Sequence, residues 1–293
     1  MNIYKNFFLS LVIKTIQVIF LSHLIFASPV LASSRDYLLL QTTSSLEDSG
    51  LLAYILPQFT KETGIKVKAV SLGSGLALAA AARGEADIAI THSPKLEKQY
   101  EDKGFFSKRK QLFWNDFIVV GPPHLTTTFN KSKNVKAVFR HIAKQQLLFF
   151  SRGDNSGTHN KEIEIWQKIN KQPKKFKKSW YKELGQPMGK TLQSAIAVNA
   201  ITLCDRATFL KSNHRDYVIL FKDLSVNNNK PNKILKNNYS IILINDKKFL
   251  NINSIRAKKF FDWMYQKNNT GRGQILASNY RINNQQVFFQ YKK

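Results

Sequence analysis

Tyr37-Leu38-Leu39-Leu40-Gln41-Thr42-Thr43-Ser44-Ser45 opens the segment whose reading decides the fold. Tyr37 to Leu40 reads as a short buried strand, and it delivers the chain to a turn of four hydroxyl residues. Ser44 with Glu47, and Ser45 with Asp48, have capping-box spacing, which predicts a helix through Leu51, Leu52, Ile55 and Phe59 that stops at Gly64. Ile65 to Leu72 alternates as a strand. Gly73-Ser74-Gly75 then turns into the alanine-rich helix Leu76–Arg83, and Ala86 to Ile90 is the next strand. This strand–turn–helix order, met twice in succession, predicts a mostly parallel sheet with right-handed crossovers, and hence an α/β fold.

Farther along, Phe117 to Val120 reads as a strand broken by Gly121-Pro122-Pro123, and Gln146 to Phe150 as another. Helices are expected around Lys161–Ile169, after Gly189, and over Ile255–Tyr265. Tyr217–Phe221 and Tyr239–Ile244 are late strands. The order fits two α/β lobes, each a mixed, mostly parallel sheet flanked by helices. Lobe I would comprise 33–120 plus 222–293, and lobe II 121–221.

In such sheets ligands bind beyond the carboxyl ends of the strands, where the strand-to-helix turns collect. Three of those turns here are rich in donors. They are Thr42-Thr43-Ser44-Ser45, Gly73-Ser74-Gly75, and Ser151-Arg152-Gly153-Asp154-Asn155-Ser156-Gly157-Thr158-His159. Amides in a helix's first turn have no intrahelical partner, and the macrodipole makes that end electropositive. An anion resting there needs no full countercharge, and the Arg152 guanidinium adds a fixed fork of donors. Thr43, Ser44, Ser45, Ser74, Gly75, Arg152, Ser156, Gly157 and Thr158 are therefore candidates for holding a small oxyanion. The amide of Gly189, at the Gly185–Thr191 turn, is a further candidate. Plain helix capping is the competing reading for each hydroxyl, and a surface ion pair for the arginine. Asp205-Arg206 reads as a buried structural pair near the lobe junction.

Before Tyr37 the chain looks like a secretory signal, residues 1–32. Lys5 gives a positive start, Phe7 to Phe26 is almost continuously apolar, and Val30-Leu31-Ala32 supplies small residues for cleavage after Ala32. An uncleaved anchor is the alternative, opposed by Lys14 in the middle of the run. No cysteine lies near the site to carry a lipid. The net charge is +26, yet the lysines are dispersed through Asn-rich stretches such as Asn227-Asn228-Asn229-Lys230 and no aromatic-interleaved basic motif occurs. Solvated faces account for them better than nucleic-acid binding, although the charge would steer a dianion. A basic exported interaction protein stays open as another reading.

Several chemistries are disfavoured. Cys204 is the single cysteine, so no internal disulfide is possible, and the histidines lack paired ligand spacing. Neither a metal-cation site nor a cofactor is expected. Gly185 to Thr191 ends in Gly-Lys-Thr but places three residues between its glycines where a phosphate loop needs four. Asp154, Ser156 and His159 crowd onto one turn without a nucleophile elbow, so no enzyme is expected.

Seven blocks, in order, resemble the tungstate-binding proteins of tungstate ABC importers, within the type II periplasmic solute-binding fold. They are Thr42–Ser45 with Asp48-Ser49-Gly50-Leu51-Leu52; Gly73–Gly75 with Arg83-Gly84-Glu85-Ala86-Asp87; Asn115–Pro122; Ser151–His159; Trp180-Tyr181; Gly185–Leu192; and Thr202–Thr208. The resemblance implies a periplasmic protein, a tungstate or molybdate oxyanion held between two lobes, and an inner-membrane permease and ATPase as partners. A monomer that binds no nucleic acid is expected. It carries the ligand role to Thr43, Ser45, Ser74, Arg152 and Thr158. Departures from the family pattern include Ser44, Ser74 and Cys204, where threonine is frequent.

Overall fold

The computed structural model describes residues 35–223, 225–226 and 234–291; the expected signal peptide, 1–32, lies outside the described residues. Among the described residues, no helix is long and apolar enough to cross a membrane.

Strand β1 (Tyr37–Thr43) pairs in parallel with β2 (Lys66–Leu72) and with β3 (Ile88–Thr91). Strand β9 (Lys236–Ile244) runs antiparallel to β3 and to the first part of the long strand β4 (Phe106–Gly121). Beyond Asp116, β4 changes partners. From Phe117 it pairs antiparallel with β7 (Ile201–Asp205) and with β8 (Val218–Phe221). Strands β5 (Phe149–Ser151) and β6 (Tyr181–Glu183) extend this second sheet in parallel with β7. Each half therefore has four strands running one way and one against them, which is the mixed, mostly parallel arrangement expected.

The connecting helices cover the sheets. Helix α1 is Ser44–Asp48, α2 is Leu51–Thr63, α3 is Ser74–Ala82 and α4 is Pro94–Asp102. The two capping boxes expected at Ser44 and Ser45 do not form. Thr43 is the N-cap, both serines lie inside the first turn, and the helix breaks at Ser49-Gly50, where Gly50 has φ 78°. A left-handed residue in mid-path suits glycine, and it splits one predicted helix into α1 and α2. Helices α5 (Thr126–Phe129), α6 (Val135–Gln145), α7 (Gly157–Gln167) and α8 (Met188–Ala197) flank the second sheet. Helix α9 (Arg206–Ser212) follows β7, and α10 (Ser254–Met264) and α11 (Arg272–Asn279) return to the first sheet. The third strand-to-helix turn is tighter than the sequence indicates, because α7 already contains Thr158 and His159.

Separate apolar cores support the two halves. One gathers Leu38, Leu40, Ile55, Phe59, Ile90, Ile241 and Phe260. The other gathers Phe139, Phe149, Trp166, Trp180, Tyr181 and Leu235. Burying each such side chain contributes about 1.5–3 kcal/mol, so each half has its own reason to stay folded. The two strands that join them, β4 and β9, carry Asn115 and Asn237 at the junction, both buried and mutually hydrogen-bonded: Asn237 Nδ2 donates to Asn115 Oδ1 at 2.8 Å.

The buried ion pair near the junction differs from the expected one. Arg206 pairs with Asp116, ninety residues away, rather than with its neighbour Asp205. Asp205 instead caps α9, accepting from Thr208 N at 3.0 Å. Adjacent residues at a strand–helix corner point apart, so Arg206 turns back onto β4 while Asp205 faces the junction.

Candidate functional site

The carboxyl ends of β1, β2 and β3 face those of β5 and β7 across a cleft. On its rim, Gly75, His92 and Ser93 meet Asn155, Gly157 and Asn160 around a volume of about 660 Å³. The halves touch closely. A Cβ on Gly75 would stand 3.5 Å from the Asn155 carbonyl oxygen, and one on Gly157 would stand 2.4 Å from the His92 ring. Thr208 Oγ1 donates to the Ser45 carbonyl at 3.4 Å, and Gly189 N donates to Asp48 Oδ2 at 3.2 Å.

These contacts bring the N-termini of α3 and α7 together, and with them most of the sequence candidates. Ser74 is fully buried and Thr158 is 2% exposed, yet neither hydroxyl has a hydrogen-bond partner. A buried hydroxyl without a partner costs about 1–3 kcal/mol, so each leaves an unused donor at the cleft. Arg152, 2% exposed, donates from Nε to the Gln186 carbonyl at 3.3 Å and from Nη2 to Ser44 Oγ at 3.4 Å. Its Nη2 also donates to Asp154 Oδ2, while Asp154 Oδ1 accepts from Ser156 N at 3.2 Å. Asp154 Oδ2 lies 3.6 Å from where a Cβ on Gly73 would stand. A carboxylate of the chain itself thus occupies the meeting point of two helix N-termini and a guanidinium. The sequence raises Asp154 only as a member of a rejected hydrolase triad with Ser156 and His159, and gives no sign of this contact with Arg152.

The other candidates are placed as follows. Ser156 caps α7, its Oγ accepting from His159 N at 3.3 Å. The amide of Gly189 is taken by Asp48. Ser45 Oγ lies 3.0 Å from His92 Nε2, and Thr43 Oγ1 lies 3.4 Å from Ser45 Oγ. His92 was not among the sequence candidates. Burial holds its pKa down to about 4, so the ring is neutral at neutral pH. Its other nitrogen, Nδ1, lies 2.8 Å from Asn237 Oδ1. Only its position directly after β3, facing the β1–α1 turn across the sheet, could have flagged it.

Among the described residues, no group of three or more acidic, histidine or cysteine side chains is arranged to hold a metal ion. The site offers hydroxyls, amides and one guanidinium, the chemistry that replaces the hydration shell of an oxyanion.

Two α/β lobes joined by two strands and closing on a donor-lined cleft define a solute-binding protein of the type II periplasmic fold. Residues 28–268 match the PBP superfamily domain. The tungstate-binding protein TupA of Peptoclostridium acidaminophilum is 37% identical over 235 residues, covering 79% of this chain and 78% of that protein. The crystal structure of the tungstate ABC transporter from Geobacter sulfurreducens superposes with a TM-score of 0.73 at 33% identity, covering 85% of this chain and 100% of that one. The tungstate-binding protein TupA from Desulfovibrio alaskensis G20 gives a TM-score of 0.70 at 32% identity, covering 88% and 99%. The chain belongs to the PBP superfamily and, within it, to the family of the TupA proteins.

Proposed function

We propose that this protein is the periplasmic solute-binding component of an ABC importer and that it captures tungstate between its lobes. The observation that carries the reading is the pair of buried, unpartnered hydroxyls, Ser74 Oγ and Thr158 Oγ1, on the first turns of two abutting helices beside Arg152. Kinship with a tungstate-binding protein and with a tungstate ABC transporter supports this cargo, and with it an inner-membrane permease and ATPase as partners.

Capture runs as follows. Lysine-rich surfaces steer the dianion to the cleft. Ser74, Thr158, Arg152 and the first-turn amides of α3 and α7, including those of Gly75 and Gly157, replace its water shell. Asp154 must leave the junction as the anion enters, since a carboxylate and a dianion repel at hydrogen-bond distance. Ser44 lies close enough to follow Arg152, and Thr43 and Ser45 line the same wall. Ser156 acts through its cap on α7, and Gly189 through its latch to Asp48. Each donor to a charged oxygen is worth about 1.5–3 kcal/mol, so six or seven support a nanomolar complex near −12 kcal/mol after ordering costs. Tungsten–oxygen bonds are longer than sulfur–oxygen bonds, so cavity size would exclude sulfate.

In this reading the lobes are 33–120 with 222–293, and 121–221; Val226, packed with Trp114 and Phe289, supports the return to the first lobe before β9, while the partner change between Asp116 and Phe117 favours an earlier outward crossing. Residues 1–32 direct export and are removed after Ala32, and the protein works as a monomer.

Calorimetric titration with tungstate, molybdate, sulfate and phosphate tests the reading. One-to-one tungstate binding with weak sulfate supports it, and the ratio to molybdate, an anion of nearly the same size, names the cargo. Salt-sensitive binding to heparin without saturable uptake of any of the four anions would move the function to a basic interaction role.

A further inference from the structure

A directed chain of hydrogen bonds runs from the lobe junction to the anion wall. Asp205 Oδ1, a carboxylate oxygen, accepts from Asn115 Nδ2 at 3.4 Å. That places Asn115 Oδ1 toward Asn237, whose Nδ2 donates to it at 2.8 Å and also to Tyr239 Oη at 3.3 Å. Asn237 therefore turns its carbonyl oxygen to His92, 2.8 Å from Nδ1, and only a proton on Nδ1 satisfies that contact. With the ring neutral, Nε2 is bare, so the partner 3.0 Å away, Ser45 Oγ, must donate to it. Ser45 has one proton, and it is committed to His92. In turn, Thr43 Oγ1 must be the donor in its 3.4 Å contact with Ser45. Every link is buried, His92 at 5% exposure and Ser45 at 0%.

This arrangement presents lone pairs, not protons, at the wall expected to bind an anion. Resting on the function proposed above, we propose that His92 is a positioning residue for the oxyanion: Asn115 and Asn237 hold it as the Nδ1–H tautomer, and it gains a proton at Nε2 when the Ser45 hydroxyl turns to the anion. The balance is simple. One proton comes from solvent to Nε2, Nε2–H then donates to Ser45 Oγ, and the Ser45 proton rotates from the ring to an anion oxygen. No covalent bond in the protein other than the new N–H changes.

The groups facing the ring set the direction. From the second lobe, Arg152 disfavours a charged imidazole and Asp154 favours one. From β9, the Tyr239 ring lies 4.8 Å away, centroid to centroid. Glu97, on the helix after His92, is turned away and accepts from Thr91 Oγ1 and Ser93 N. A dianion beside Arg152 brings two negative charges as Asp154 withdraws one, and the net gain of one close to the ring favours its protonation.

The test is calorimetric titration of the protein with sodium tungstate at pH 7 and pH 6, each in two buffers of different ionisation enthalpy, which counts protons. The expected result is proton uptake that is larger at pH 6, and its loss in His92→Gln with tungstate binding weakened about tenfold. Nitrogen-15 spectra of the unaltered protein, which need no variant to fold, should show His92 as neutral Nδ1–H before tungstate and as imidazolium after it. Tungstate binding without uptake, a ring that stays neutral, or uptake that persists in His92→Gln overturns this inference alone. Absence of tungstate binding overturns the proposed function itself.

Discussion

Asp154 holds Arg152 by a direct carboxylate–guanidinium contact at the point where the N-termini of α3 and α7 meet. On the proposed function, the chain's own acid thereby sits where the incoming anion would be held most strongly. Asp154→Asn keeps an acceptor for Ser156 N and removes the charge. Tungstate affinity should then rise several-fold, with sulfate affinity rising alongside, measured by calorimetry. Unchanged or weaker binding would place the carboxylate outside the anion's path.

Ser74 and Thr158 separate stability from binding. Their hydroxyls are buried without partners, so Ser74→Ala and Thr158→Val should leave the melting temperature of the ligand-free protein unchanged or higher. The same variants should lose about tenfold or more in tungstate affinity, the value of one hydrogen bond to a charged group. Unchanged affinity in Ser74→Ala and in Arg152→Ala together would remove the proposed pocket.

Gly157 stands directly against His92 of the opposite lobe. Its φ is unremarkable for any residue, but an added Cβ would meet the His92 ring at 2.4 Å and the His92 carbonyl oxygen at 3.0 Å. Gly157→Ala should prop the cleft open by about the width of a methyl group. Tungstate binding should weaken at least tenfold, and small-angle scattering should show no compaction on adding tungstate.

Glu162 governs a pH dependence of stability. It is buried one turn below Thr158, where its Oε1 accepts from Trp166 Nε1 at 2.9 Å and from Tyr181 Oη at 2.8 Å. Burial raises its pKa to about 7 from the usual 4.5, so the folded protein binds its proton more tightly than the unfolded chain does. Stability from this group is therefore greatest below about pH 4.5 and falls as pH rises to about 7, by on the order of 3 kcal/mol. Glu162→Gln preserves both acceptor contacts and should flatten that slope. Urea unfolding at pH 5 and pH 7.5 measures it.

Much of this architecture is legible in the residues. Alternating strands, glycine stops at Gly64 and Gly84, and hydroxyl-rich turns predict the β1–β3 unit within a few residues. The first part of β4 is not legible, because Phe106-Ser107-Lys108-Arg109-Lys110-Gln111 has its charges where a strand pattern needs apolar residues. Its pairing with β9 comes from a segment 120 to 138 residues away. Strand β7 was read only as a motif, although Ile201-Thr202-Leu203-Cys204-Asp205 is buried throughout.

The site divides in the same way. Ser74 and Thr158 lie at helix starts, where local sequence advertises free amides, Arg152 follows directly on β5, and the structure gathers all three. Asp154, His92, Asn115 and Asn237 carry no local signature. Their meaning arises when the two connecting strands bring positions 115 and 237 together and Asp154 folds back over its own arginine. Direction within a hydrogen-bond chain depends on which end is acceptor-only, and only the assembled junction reveals Asp205 as that end.

The most direct test of the central claim is a crystal of the protein grown with tungstate, measured at a tungsten absorption edge. One anomalous peak per chain is expected between the first turns of α3 and α7, with Ser74 Oγ, Thr158 Oγ1 and Arg152 within hydrogen-bond distance of the anion's oxygens and Asp154 withdrawn. A peak elsewhere on the chain, or tungstate held away from those three side chains, would contradict it.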